Sequence, residues 1–217
     1  MELNGDFDQR VVIDTAASPW LPCPQPGMQR KPLDRSGDAA ARATSIVRHA
    51  SGSAFPENEN GLGQEFLVLN GLCSDECGSY PAGTYVRHPP DSPYRPISAA
   101  GCEIFLKLHQ FQPDDQRRVV IDTQSAQWLP GLVPGLSVLP LHEHGGEHVA
   151  LVRWAPGTRF QAHTHWGGEE ILVLEGTFSD EGGNYPAGTW LRSPHMSRHT
   201  PYSEPGCLIY VKVGHLA

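Results

Sequence analysis

Two histidines separated by one residue, His163 and His165, stand shortly before an adjacent glutamate pair, Glu169 and Glu170. Downstream come Gly176, a Pro186-Ala-Gly188 turn, Pro194 and a further histidine, His199. In a strand, residues i and i+2 point to the same face, so His163 and His165 would project together. Imidazole nitrogens combined with one carboxylate suit zinc, iron, nickel, copper or manganese. Three imidazoles and one carboxylate can leave positions free on an octahedral ion, where water, oxygen or an organic molecule could bind. Taken alone, a His-x-His pair describes two exposed histidines on a surface strand equally well.

The elements that would hold these residues occur twice. Residues 10–22 read RVVIDTAASPWLP and residues 118–130 read RVVIDTQSAQWLP, while EFLVLNG at 65–71 matches EILVLEG at 170–176. From Gly52 against Gly157 to Leu108 against Val213 the copies align without a gap, and close to half of the pairs are identical. Such internal repetition implies two tandem domains, 1–112 and 113–217, joined near the polar stretch QFQPDDQ at 110–116. Each copy reads as short apolar runs ended by Gly and Pro turns, as strands do. Residues 39–49 (AAARATSIVRH) look helical from their alanines. Their partner in the second copy, HVALVRW at 148–154, reads as a strand, so both are expected to be strands. Nothing sustains a 3.6-residue apolar period. The expected fold class is all-β, each copy a sandwich or small barrel.

Composition narrows the partners. The 217 residues carry a net charge of −8, which disfavours binding to a phosphate backbone. The longest aliphatic runs, such as 171–174, are far short of a membrane helix. The polar, acidic N-terminus MELNGDFDQR is not a secretory leader. Five cysteines, an odd number without framework spacing, fit a reducing cytosol. The expectation is a cytoplasmic protein with neither a nucleic-acid nor a membrane partner.

Gly157, His163-Thr-His165, Glu169, Gly176, Pro186-Ala-Gly188, Pro194 and His199 together resemble the two motifs of the cupin family. That resemblance implies two tandem double-stranded β-helix (jelly-roll) barrels and one divalent metal ion in a barrel mouth. Carried over residue by residue, the ligands are His163, His165, Glu169 and His199. The six-residue spacing to Gly176 selects Glu169 over Glu170. At these four positions the first copy has Asn58, Asn60, Gln64 and Tyr94, although the surrounding LVL, SDE, YPAGT and GC are retained. The second copy is therefore expected to hold a metal and the first to have lost it.

HTHWGGEEILVLEGTFSDE, YPAGTWLRSP and EPGCLIYVKV are more closely similar to the ChrR-type cupins, across essentially all of copy two and more weakly across copy one. That group includes zinc-containing anti-sigma factors of the oxidative-stress response, which join a helical zinc-binding domain to a cupin. The resemblance implies zinc, with iron, manganese or nickel also matching the ligand types, and a sigma factor or other protein as partner. The C-x-x-C pair of the helical domain is absent here, and a second cupin takes that domain's place. Two functions follow: a regulatory, stress-sensing metalloprotein, or a mononuclear metal enzyme such as an Fe(II) dioxygenase acting on a small molecule. Zinc as a purely structural staple is disfavoured, since copy one folds without these ligands. A homodimer formed through exposed strand edges is compatible with either function.

Other residues carry weaker signals. His142, His144 and His148 suggest a second metal motif or a polar loop, and Cys73 with Cys77 a redox pair or two ordinary turn residues. Cys102 and Cys207 match each other and read as small buried apolar residues. Tyr185 and Arg192, matched by Tyr80 and Arg87, read as structural; Trp190 and Tyr202 lie in the same copy. Trp166, beside two histidines, reads as a pocket wall or a core residue. Asn184 and Glu170 read as turn and strand residues without chemistry.

Overall fold

The computed structural model describes residues 2–37, 41–54, 61–92, 97–98 and 100–216. Among them there is no α-helix, and almost every element is an antiparallel strand. The alanine-rich stretch is a strand, Arg42–His49, bonded on both sides by Met28–Ser36 and Cys102–Leu108. Pairing on two edges outweighs the modest helix preference of alanine. Residues 39 and 40 lie outside the described residues.

The repeat boundary at residue 112 is a boundary of sequence, and the compact bodies divide otherwise. One unit comprises Met1–Gly5 with Pro19–Ala126, the other Asp6–Ser18 with Gln127–Ala217. The cause is a reciprocal exchange of the RVVID strands. Val11–Asp14, from the first repeat, pairs with Thr189–Ser193 in the second unit. Val119–Asp122, from the second repeat, pairs with Thr84–His88 in the first. Each strand covers an edge that would otherwise expose unpaired backbone groups.

In the second unit the sheet runs Val11–Asp14, Thr189–Ser193, Glu169–Asp180, Cys207–Val213, Glu147–Trp154, Leu136–His144, Leu129–Pro130. Side chains alternate along the central strand Glu169–Asp180: Ile171 and Val173 join Trp154, Phe178, Leu191 and Ile209 in one core cluster. Burial of each such side chain stabilises the unit by about 1.5–3 kcal/mol. Two short strands, His163–His165 and Ser197–His199, form a separate ribbon in which His163 faces His199 across the pair. The first unit repeats the main sheet order, with its own cluster around Phe66, Val68, Val86 and Ile104. Asn58, Asn60 and Tyr94, the counterparts of the three histidines, lie outside the described residues; Gln64 is buried at the start of its strand.

Cys73 is bonded to Cys102, with Cα atoms 6.0 Å apart, and not to Cys77, which is exposed and free. Of the two readings of Cys73 with Cys77, neither describes Cys73, and the reading of Cys102 as a plain apolar residue is corrected. The strands Gln64–Asp75 and Cys102–Leu108 are sheet neighbours, which brings the two sulfurs together across 29 residues of sequence. The partner position of Cys73 in the second unit is Phe178, so Cys207 stays a buried thiol there. Burial pushes its pKa up to about 11.

Candidate metal centre

The ribbon pairing places His163 and His199 opposite each other, and the strand period puts His165 on the same face. One nitrogen from each of His163, His165 and His199 lies within 4.8 Å of the others. His165 Nε2 is 2.9 Å from His199 Nε2. Glu169 enters from the central strand, its Oε2 3.5 Å from His165 Nε2 and 3.7 Å from His199 Nε2. His163 Nδ1 lies 3.0 Å from the Gln161 carbonyl. A carbonyl can only accept, so Nδ1 carries the proton and Nε2 keeps its lone pair free. His199 Nδ1 lies 3.5 Å from Asp180 Oδ2, a charge contact that likewise leaves Nε2 inward.

These donors fit a metal ion. Two nitrogens bonded side by side to one ion at about 2.0–2.1 Å stand roughly 3–3.5 Å apart. The His165–His199 separation of 2.9 Å and the two carboxylate distances are close to that span. The electrostatics divide: burial would lower His199, but its contacts with Asp180 and Glu169 raise it, while the other two imidazoles are lowered. Burial, then His199 and His163, hold His165 down to about 3, so it is neutral at physiological pH. His163 is lowered chiefly by burial, against the pull of the Gln161 carbonyl. Burial pushes Glu169 up to about 7. A cation bound here would favour the ionised carboxylate.

Asp180 organises the outer side. Burial alone would raise its pKa, but contact with His199 and hydrogen bonds donated by Tyr185 Oη (2.8 Å) and Gly182 N (2.7 Å) hold it down to about 2. Arg10 Nη2 also donates to Asp180 (2.7 Å) and to Tyr185 Oη (2.8 Å). Arg10 belongs to the exchanged segment, so the first repeat completes the surroundings of a site in the second unit. Neither Asp180 nor Arg10 stood out in the sequence, because both copies carry the residues: SDE recurs as SDE and RVVID as RVVID.

On the inner side His163, Glu169 and His199 are among the residues lining a cavity of about 160 Å³. Its other walls are apolar, among them Leu136, Val138, Val152, Phe160 and Phe178. Leu132, 87% exposed, stands on the rim.

The remaining residues find other places. Trp166 is not a wall of this cavity; it is 74% exposed and lies edge-on to His195. His142, His144 and His148 are not a loop. They lie on the two arms of a hairpin, His142 buried and His148 exposed, with His148 3.7 Å from Glu143. Among the described residues only His163, His165 and His199 form a cluster of three or more close enough to hold an ion. Glu170 accepts the Trp190 indole N–H at 2.8 Å and lies 3.2 Å from His215. Arg192, fully buried, donates to the Asp6 carbonyl, and Arg87 pairs with Glu65 and Asp115, which are structural roles. Asn184 accepts from Ser179, and Tyr202 lies under Arg159.

The model of the ChrR cupin-like domain matches residues 8–112 and again 116–217. The chain belongs to this family. A curated relative, the anti-sigma-E factor ChrR of Cereibacter sphaeroides, is 40% identical over 63 residues. That match covers 29% of this chain, which spans 30% of the relative's length. Among solved structures, a candidate glyoxylate-induced protein from Pseudomonas aeruginosa superposes with a TM-score of 0.77 at 19% identity, over 94% of this chain and 88% of its own. A candidate dioxygenase from Nostoc punctiforme gives 0.78 at 16% identity, over 95% and 82%. A variant of Bacillus subtilis oxalate decarboxylase gives 0.61 at 14% identity, over 94% and 76%. At these identities the likeness is one of fold, and it is the cupin fold in each repeat.

Proposed function

We propose that the second unit is a mononuclear metal centre at which a small organic molecule is bound and transformed, and that the first unit is a scaffold without a metal. The observation that carries this reading is the convergence of three imidazoles and one carboxylate at an otherwise apolar cavity. A purely structural site needs no such cavity beside it. His163, His165, Glu169 and His199 are the ligands in this reading. A divalent ion held by them would supply Lewis-acid chemistry, and iron or manganese would add redox chemistry. The chain's own residues orient the ligands: Gln161 fixes the His163 tautomer, and Asp180 faces His199. The apolar walls offer the bound molecule an apolar contact surface.

The test is metal content per chain after purification without chelator, beside His163→Ala. One equivalent of iron or manganese, lost in the variant, is the expected result. One equivalent of zinc would move the assignment to the second reading, a zinc-containing regulator that presents a surface to a sigma factor or other protein. The short match to the anti-sigma factor favours that reading. Stoichiometric metal retained by the variant would refute the centre itself.

A further inference from the structure

The walls of the cavity in the second unit define what can enter it. Besides the three proposed ligands, the only polar group among its described lining side chains is the Trp154 indole. Its Nε1 is fully buried and has no hydrogen-bond partner among the described residues. Among the described residues the lining has no lysine, arginine, serine, threonine, asparagine or glutamine. A second charge on a bound molecule would be stripped of water and left without a counter-ion, which is strongly unfavourable. The pocket opens to solvent beside Leu132, and its volume of about 160 Å³ sets the size of the part of a molecule held inside. An apolar protein cavity of roughly 150 Å³ accommodates one benzene molecule.

We infer that the ligand of this site is a monoanion with one oxygen-donor head, a carboxylate, phenolate or enolate, on an apolar body of which about one aromatic ring is held inside the pocket. The inference rests on the proposed metal centre, because the head is bound there. The body lies between Phe160, Phe178 and the aliphatic side chains of Val138 and Val152. Small dianions, whose second carboxylate would face these walls, are rejected.

The experiment is a titration of the full chain loaded with cobalt(II), read by the visible bands of the bound ion. Acetate supplies the head alone, benzoate the head with a ring, and succinate a second charge. The expected outcome is benzoate binding at least tenfold more tightly than acetate, and succinate no more tightly than acetate. Val152→Phe, or Val138→Phe if the first variant does not fold, should abolish the preference for benzoate while the cobalt bands and acetate affinity persist. Cobalt bands with equal affinities for acetate and benzoate, or with succinate bound most tightly, would overturn the ligand class and leave the metal centre standing. Absence of cobalt bands in the wild-type chain would overturn both.

Discussion

Asp180 separates a cluster of histidines from an organised site. It touches His199 on the side away from the other donors and is held ionised by Tyr185, the Gly182 amide and Arg10. A carboxylate behind a ligating imidazole fixes the ring and strengthens it as a donor, and its loss costs about 10–100-fold in metal affinity. Asp180→Asn should therefore weaken binding by that factor, measured by competition with a chromophoric chelator. A change of less than twofold would remove Asp180 from the site. At this scale the sequence was most legible where the copies differ. His163, His165, Glu169 and His199 stand against non-ligands in copy one, whereas Asp180 is matched by Asp75 and so reads as scaffold. Asp75 does play that role in the first unit, accepting from Tyr80 and lying 3.4 Å from His88. Buried His88 and His49 are both held down to about 4, chiefly by burial. A histidine whose folded pKa lies below its unfolded value of about 6.5 keeps its full contribution above that pH. The contribution is lost as pH falls from about 6.5 to about 4, on the order of 3 kcal/mol for each group. His49→Gln should flatten the fall in stability over this window, as followed by urea midpoints at pH 7.5, 6 and 4.5. An unchanged slope would contradict the burial argument.

Among the strands, the turn chemistry carries the register. Gly176 adopts a φ of +69°, and a Cβ there would run into the Gly206 carbonyl and lie 2.9 Å from Cys207 Cα. The close approach sits where the register shifts between Glu169–Asp180 and Cys207–Val213. Gly71 meets Gly101 in the same way in the first unit. Neither backbone can yield without disturbing the central pair. Gly176→Ala should cost about 2–4 kcal/mol, above the usual penalty for a left-handed residue. A wild-type denaturation midpoint would show that the pair relaxes freely. The repetition of glycine at both sites was visible in the sequence, but the carbonyl it faces was not, because that contact joins strands distant along the chain.

For the molecule as a whole, the exchanged strands and the disulfide are the features that local reading could not reach. The RVVID segments were evident as repeats, yet a strand does not encode which equivalent edge it will cover, since both edges offer the same hydrogen bonds. The Cys73–Cys102 bond closes a loop of 29 residues, for which the chain-entropy estimate is about 3–4 kcal/mol of stability. Cys73→Ala should lower protection of the first unit by about that amount in hydrogen exchange on the full chain, with the second unit unchanged. Equal losses in both units would mean that they unfold as one body.

By itself the sequence determined the all-β class, the duplication, the family and the donor set present in one copy and missing from the other. Period-two patterning and repeat comparison are local or pairwise signals, and they survive without coordinates. Tertiary structure decided the rest: the exchange of edge strands, the disulfide partner, the Asp180–Arg10 support and the apolar cavity behind the histidines. Each of these depends on which residues meet across strands far apart in the chain. Spacing along one strand constrains which way a side chain points, but not what it will find there.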